Sequence, residues 1–540
     1  CYEPVSDKNI YHGIRALNGS VLIPEYDFSQ ARVILAVDAD FLGLENESIP
    51  AARQFVSGRE LKSPEQGMNR LYVVEPLFTL TGAMADHRQK LARCRIPDFL
   101  LALIQTLRNN GIKIPAGEIP AAAAAAEVEF DPHWLDVLAR DLIRSTGRSV
   151  IITGRQQNPL VHALVNLINA ALGNIGHTVF YRQPHNIALA EQDQLNNLVS
   201  GLNQNKIDTL IILDGNPVYN APADLDFSSA LGKAKHSVHL SYYYDETSHL
   251  TEWHLPLSHF LESWSDARSS AGTASIVQPL IEPLYKSLSA IEMLAVITGA
   301  KQISGYDLVR ETWRGLLKTS EFEQEWRRIL HQGYLENSEF PLINPKLDLI
   351  GLKKLAIDYP LLNHKLDAEH LEILFQPSYS VFDGRFANNG WLQELPDPVT
   401  KLAWDNAALM SENTARRLGI KNEDLIVLEN KGREQPFPVW IVPGTVDFSI
   451  ALDLGFGRTA AGRIGNQTGF NAYTLRTSNA LYFDTNARLR RTTDTYKLAN
   501  TQHHGSMEGR PIIRETSLEE FRRHPQFAGE MVEHPPLISL

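Results

Sequence analysis

Residues 32–41 read "RVILAVDADF". Five successive apolar residues, Val33 to Val37, end abruptly at Asp38 and Asp40. This is the composition of a strand buried on both faces, since helices covering a parallel sheet leave neither face for polar side chains. Residues 70–76, "RLYVVEP", repeat the pattern and end at Glu75. The stretch at 96–112, "IPDFLLALIQTLRNNGI", places apolar residues at helical spacing, with Gly111 able to end the helix. Strands alternating with helices predict a doubly wound α/β sheet.

The same grammar returns downstream. "DPHWLDVLARDLIRS" predicts an amphipathic helix with Asp131 as N-cap and Pro132 in its first turn. "SVIITG" (149–154) and "DTLIILDGNP" (208–217) read as strands, with a helix between them closed by Gly173 or Gly176. "HSVHLSYYYDETS" and "TEWHLPL" read as two more. From about residue 370 the texture changes to short strands between Gly, Pro and Asn turns, such as "HLEILFQPSY", "DLIVLENKG", "FPVWIVPG" and "SIALDLGFGR". That rhythm predicts a β-barrel. The expected division is an α/β domain at 1–115, an Ala/Pro linker at 116–130 and a second α/β domain at 131–300. A helical insertion at 301–369, a barrel at 370–515 and a tail at 516–540 complete it. The tail carries a helix, "SLEEFRRHP", and an extended "EHPPLISL".

With 540 residues the chain needs several cores. Its formal charge of −12 and its lack of a basic stripe exclude a nucleic-acid partner. Cys1 and Cys94 are its only cysteines. An iron–sulfur cluster of the usual kind needs four thiolates, so the chain does not hold one by itself. No run of about eighteen apolar residues is present. The chain opens on "CYEPVSDKNI" rather than on Met, which suggests a fragment of a longer polypeptide.

Acids at the carboxyl ends of parallel strands either meet ligands or cap the next helix, and Asp38, Asp40, Glu75 and Asp214 stand there. No strand is followed by G-x-G-x-x-G or by a Walker A loop. Asp86, His87 and Arg88 of "LTGAMADHR" fit an internal ion pair better than an anion site. His503 and His504 are adjacent, face opposite ways if extended, and read as surface or interface residues. Ser258, Ser263 and Ser269 lie near His254, His259 and Asp266, yet no G-x-S-x-G elbow frames them, so a hydrolase triad is not expected. "GRTAAGRIGNQTGFNAY" (457–473) places Arg458 and Arg463 among glycines. Residue types alone leave it open between a backbone nest for an anion and a barrel corner.

Three segments carry a family resemblance: "MNRLYVVEPLFTLTGAMADHR" (68–88), "GRTAAGRIGNQTGFNAYTLRTS" (457–478) and "TQHHGSMEGRPIIRE" (501–515). Together they resemble the B subunits of bacterial alternative complex III, the molybdopterin-oxidoreductase-like, iron–sulfur subunits of a membrane quinol:electron-acceptor oxidoreductase. The resemblance implies two Rossmann-like doubly wound domains plus a six-stranded β-barrel-like domain, incomplete at the N-terminus. It implies no cofactor in this chain, with [4Fe-4S] and [3Fe-4S] clusters in an adjacent domain of the same subunit. It implies multihaem and monohaem cytochrome c partners, integral membrane quinol-binding subunits, and a peripheral place on the periplasmic face of the cytoplasmic membrane.

Against true molybdopterin enzymes the chain departs at two places. Phe41 ends "DADF" where they carry a proline, and Leu77 ends "EPL" where they often carry an arginine. The residues left around a vestigial cleft are Asp38, Asp40, Glu75, Asp214, Asn216, Arg458, Arg463 and Asn471. The expectation is therefore a structural scaffold without catalytic residues. The rival expectation is a molybdopterin-dependent oxidoreductase for a small oxyanion or sulfur compound. Its cleft would be bordered by Asp38, Glu75, Asn216, Arg463 and Asn471, and Cys1, near where such enzymes supply a metal ligand, would hold molybdenum.

Overall fold

A computed structural model describes the chain except for residues 62, 64–66, 116–129, 185–191, 346, 362–364, 503–509, 511 and 532–540. The expected linker, apart from Phe130, lies outside the described residues, as do His503, His504 and the "EHPPLISL" tail.

The opening stretch forms the strand Val33–Val37, and all five of its residues are buried. It pairs in parallel with Arg70–Glu75 on one side and with Ser149–Thr153 on the other, and His87–Lys90 completes the edge. Side chains alternate across the sheet. Val33, Leu35 and Val37 face helices Ile96–Asn109, Pro132–Arg144 and Pro159–Ala171, with Leu352 and Leu355 of helix Ile350–Asp358 closing the same core. Ile34 and Ala36 face Phe28, Phe41 and the helix Ser48–Ser57. Both faces are covered, which is why the strand carries no polar residue before its end.

Ser149–Thr153 belongs by sequence position to the second α/β unit (131–300), yet the structure hydrogen-bonds it into the first sheet, residue for residue from Val33↔Ser149 to Val37↔Thr153. The helices on either side of it pack there too. A second, separate parallel sheet has the order Thr209–Leu213, His236–Ser241, Trp253–Pro256. It rests on the helices Gln192–Asn203 and Phe227–Leu231.

The division at residue 300 is also crossed. The hairpin Ser265–Arg268/Ala274–Val277 shares one core with helices Gly305–Leu317 and Phe322–Gln332, built on the buried Trp313 and Trp326. Helix Ile350–Asp358 instead packs back on the first unit.

A closed six-stranded barrel is present. Its strand order is Leu371–Gln376, Ser449–Asp453, Ala408–Met410, Arg433–Ile441, Asp424–Asn430, Phe483–Thr495, and the last strand returns to the first. Ile373, Phe375, Ile426, Leu428, Phe437, Val439, Ile450 and Leu452 fill it. Closure removes the free edges that a six-stranded sheet would otherwise expose. Among the described residues no helix is long and apolar enough to cross a membrane.

Candidate functional site

The first sheet aims its strand ends at the barrel, and three of the acids named from the sequence, Asp38, Asp40 and Glu75, stand along that seam. Asp38 is buried and adopts a left-handed backbone (φ 48°). Its carboxylate accepts from Arg93 Nε at 2.6 Å, Arg93 Nη2 at 3.2 Å and Gln157 Nε2 at 2.8 Å. Arg93 in turn donates to the carbonyl of Tyr482, in the barrel, at 3.1 Å. Gly154 allows the close approach here, because a Cβ on it would lie 2.0 Å from the Asp38 carbonyl oxygen.

Asp40 accepts from Thr81 N at 2.9 Å, Thr81 Oγ1 at 2.8 Å and Leu44 N at 3.1 Å, and from the hydroxyl of Tyr379 across the seam. Glu75 takes Arg88 Nε at 2.6 Å and Thr79 Oγ1 at 2.6 Å. Burial raises its carboxyl to about 7, against the opposing pull of Arg88 and Thr79. Arg88 continues to the carbonyls of Leu77 and Gly444. Asp86 pairs with Arg59 at 2.5 Å, and His87 stacks on Tyr72. Asp86 and Arg88 of "LTGAMADHR" thus each form an ion pair with a partner outside the trio, while His87 packs on a ring.

At the second sheet, Asn216 and Arg458 are drawn together by a residue that the sequence did not single out. Glu246 accepts from Arg458 Nη2 at 2.8 Å and Asn216 Nδ2 at 2.7 Å, and from the N–H groups of Thr459 at 2.8 Å and Ala460 at 3.0 Å. Burial opposes ionisation, yet Arg458, the Ala460 N–H and Asn216 hold the carboxyl at about 2. Gly457 takes φ 68°, and a Cβ there would meet Asn471 N at 2.3 Å, so the turn entering this loop requires glycine. Asn471 caps the short helical turn Ala472–Leu475 through Tyr473 N. Asp214 and Arg463 are exposed. The eight sequence candidates therefore form several separate clusters.

Behind the barrel mouth, Asp397, Asp405 and Asp453 line a cavity of ≈ 20 Å³, about the size of one water. Asp453 accepts from Gln376 at 2.7 Å. Burial, then the charge of Asp397, lifts its carboxyl from 3.8 to about 7. The folded state thus binds this proton more tightly than the unfolded chain does. Its contribution to stability is complete below about pH 4 and is lost as pH rises through 7. Melting temperatures measured from pH 4 to 8 should fall less steeply in Asp453→Asn than in the wild type; identical slopes would refute the assignment. A wider, open cleft of ≈ 350 Å³ lies beside it, bordered by Gly43, Leu44, Ser378, Tyr379 and Phe382.

Cys1 is exposed, and its terminal amine donates to Gln194 at 3.0 Å. Cys94 is buried, and burial pushes its thiol up. Among the described residues no three His, Cys, Asp or Glu side chains are grouped to hold a metal ion. Ser258 bonds Ser287 and Ser263 bonds the His259 carbonyl, so neither meets a triad.

The architecture, a closed six-stranded barrel joined to parallel α/β sheets, has a counterpart among solved structures. Among solved structures, acetylene hydratase from Pelobacter acetylenicus superimposes with a TM-score of 0.66 at 14% identity, over 91% of this chain and 81% of that one. A curated relative, the "Menaquinone reductase, molybdopterin-binding-like subunit" of Nitratidesulfovibrio vulgaris (strain Hildenborough), is 24% identical over 279 residues. That match takes in 49% of this chain and 38% of the relative, so it spans well under half of that subunit's length. No family model matches the chain.

Proposed function

We propose that this chain is the structural, cofactor-free portion of a quinol:electron-acceptor oxidoreductase subunit of the alternative complex III type. In this reading it positions a neighbouring iron–sulfur domain and cytochrome subunits outside the cytoplasmic membrane, and it takes part in quinol oxidation without binding quinol. The relative named as a subunit of a menaquinone reductase is the support for a place in a quinone-linked complex.

The observation that carries the reading is a mismatch with the fold's usual guest. A pterin dinucleotide brings phosphates that need free N–H groups and cations. Here the best such donors, Arg458 and the N–H groups of Thr459 and Ala460, are taken by Glu246. The cations Arg93 and Arg88 are likewise taken, by Asp38 and Glu75. An added dinucleotide anion would meet a carboxylate at the same point. These residues do not fit the group. Metal and pterin analysis of the purified complex tests this directly. We expect no molybdenum, no tungsten and no extractable pterin; one metal with pterin per chain would establish the oxidoreductase alternative.

Partner docking has its own support. Phe260, Leu280, Leu284 and Tyr285 are all more than half exposed, and Tyr242 and Trp253 are exposed nearby. Leu280 N bonds the Leu261 carbonyl, Leu284 N bonds Glu262 and Tyr242 packs on His259 beside Phe260, which brings these side chains into one region. Aromatic-rich surfaces are typical of the centres of protein interfaces. The occupant in this reading is another subunit of the same redox complex. Leu284→Glu with Tyr285→Glu should leave the melting temperature of the chain unchanged while releasing cytochrome or membrane subunits during purification. Retention of all subunits would remove this surface from the interface.

A further inference from the structure

We propose that Glu246 is a built-in ligand: its carboxylate fills an oxyanion cradle made by Arg458, the Thr459 and Ala460 N–H groups and Asn216. The inference deepens the cofactor-free reading and rests on it. It goes further by naming the class of ligand, a phosphate-type oxyanion, that the cradle takes once the carboxylate is removed.

Each Glu246 oxygen is held as one oxygen of an oxyanion would be. Oε1 accepts from Arg458 Nε at 3.0 Å, Thr459 N at 2.8 Å and Ala460 N at 3.0 Å. Oε2 accepts from Arg458 Nη2 at 2.8 Å, Arg458 Nε at 3.1 Å and Asn216 Nδ2 at 2.7 Å. Successive N–H groups beside an arginine fork are a general anion-binding arrangement. Each wall also has bonds other than those to the Glu246 carboxylate. Arg458 also donates to the Gly384 carbonyl at 2.8 Å, and its guanidinium lies over the Tyr219 ring. Asn216 is held through its own oxygen by Thr247 N at 3.2 Å and Thr247 Oγ1 at 2.7 Å.

Glu246 arrives from a different unit than Arg458, Thr459 and Ala460: it sits on the loop after the strand His236–Ser241, in the same sheet unit as Asn216. That loop is pinned by Ser248 N on Asp245 at 2.9 Å and by Ser248 Oγ on His239 at 2.8 Å. A tethered carboxylate of this kind competes at high effective concentration, so a free anion does not displace it. Thr459 is exposed, so the cradle opens to solvent when the carboxylate is gone.

The test uses Glu246→Ala, Glu246→Gln and the double variant Glu246→Ala/Arg458→Ala, each titrated with inorganic phosphate, pyrophosphate and guanosine diphosphate. Calorimetry and melting temperature are the readouts. Glu246→Ala should bind phosphate or pyrophosphate at least tenfold more tightly than the wild type, with a rise in melting temperature that the double variant lacks. If Glu246→Ala does not fold, Glu246→Gln carries the test, and phosphate must raise its melting temperature. Tighter binding of the nucleotide than of pyrophosphate assigns the cradle to nucleotide phosphates, and equal binding assigns it to free phosphate. A folded variant indifferent to all three anions, or a wild type that binds them equally well, overturns the proposal while leaving the cofactor-free reading intact. Pterin extracted from the wild-type chain overturns that reading instead.

Discussion

Arg93→Met is expected to loosen the seam between the first sheet and the barrel more than any other single change. Arg93 is 3% exposed and touches both sides, with two bonds to Asp38 and one to the Tyr482 carbonyl. Removing it leaves Asp38 buried with Gln157 as the remaining donor to its carboxylate. Breaking a buried pair in this one-sided way costs about 3–5 kcal/mol, because the surviving charge has lost its compensation. Asp38→Asn in the same background removes that charge and should recover about half of the loss, the non-additivity expected of direct partners. Hydrogen exchange at Val33–Val37 and at Leu371–Gln376 reads the two sides of the seam. Both should speed up in Arg93→Met, and both should slow again in the double variant. Unchanged exchange on the barrel side would mean that Arg93 stabilises its own sheet only.

The sequence made some of this legible and hid the rest for identifiable reasons. Val33–Val37 and Arg70–Glu75 declared themselves because burial on both faces forbids polar residues within them. The barrel declared itself by turn spacing. The partner strand of Ser149–Thr153 stayed hidden: "SVIIT" describes a buried strand but says nothing of which sheet takes it, and more than a hundred residues separate it from its partner Val33–Val37.

The acids at strand ends were recognisable as candidates, and their partners were not. Arg93 sits in "LARCRIP" and Glu246 in "YYYDETS", stretches with no periodicity to mark them. Long-range ion pairs depend on how whole units dock, and local patterns do not record docking. "GRTAAGRIGNQTGFNAY" posed a choice between an anion nest and a barrel turn. The structure joins the two, since Gly457 makes the turn and the N–H groups beyond it hold an anion that belongs to the chain itself.

Glu372→Leu should produce the second large effect, on the same seam but through a different chemistry. Glu372 is fully buried in the first barrel strand. It accepts from Cys94 N at 2.7 Å, Arg93 N at 3.2 Å and Ser449 Oγ at 2.6 Å. The two backbone donors belong to the turn Arg93–Arg95, which leads into the helix Ile96–Asn109, so a barrel carboxylate satisfies N–H groups that have no partner of their own. Leucine leaves two buried N–H groups and a hydroxyl unpaired, at about 1–3 kcal/mol for each N–H, so a total of about 3 kcal/mol or more is expected.

Glutamine keeps one acceptor oxygen, and the hydroxyl of Ser449 can turn to accept from the amide. The loss for Glu372→Gln is then about 1–2 kcal/mol, from the single backbone donor left without a partner. The pH response separates this account from simple loss of packing. Burial raises the Glu372 carboxyl above its ordinary value against the pull of Ser449, Cys94 and Arg93. Its contribution is therefore greatest at low pH and declines as pH rises through the raised value. Glutamine has no proton to lose, so the difference in stability between wild type and Glu372→Gln should narrow as pH increases. A difference that stays constant with pH would show that the carboxylate remains ionised throughout, held by its three donors alone.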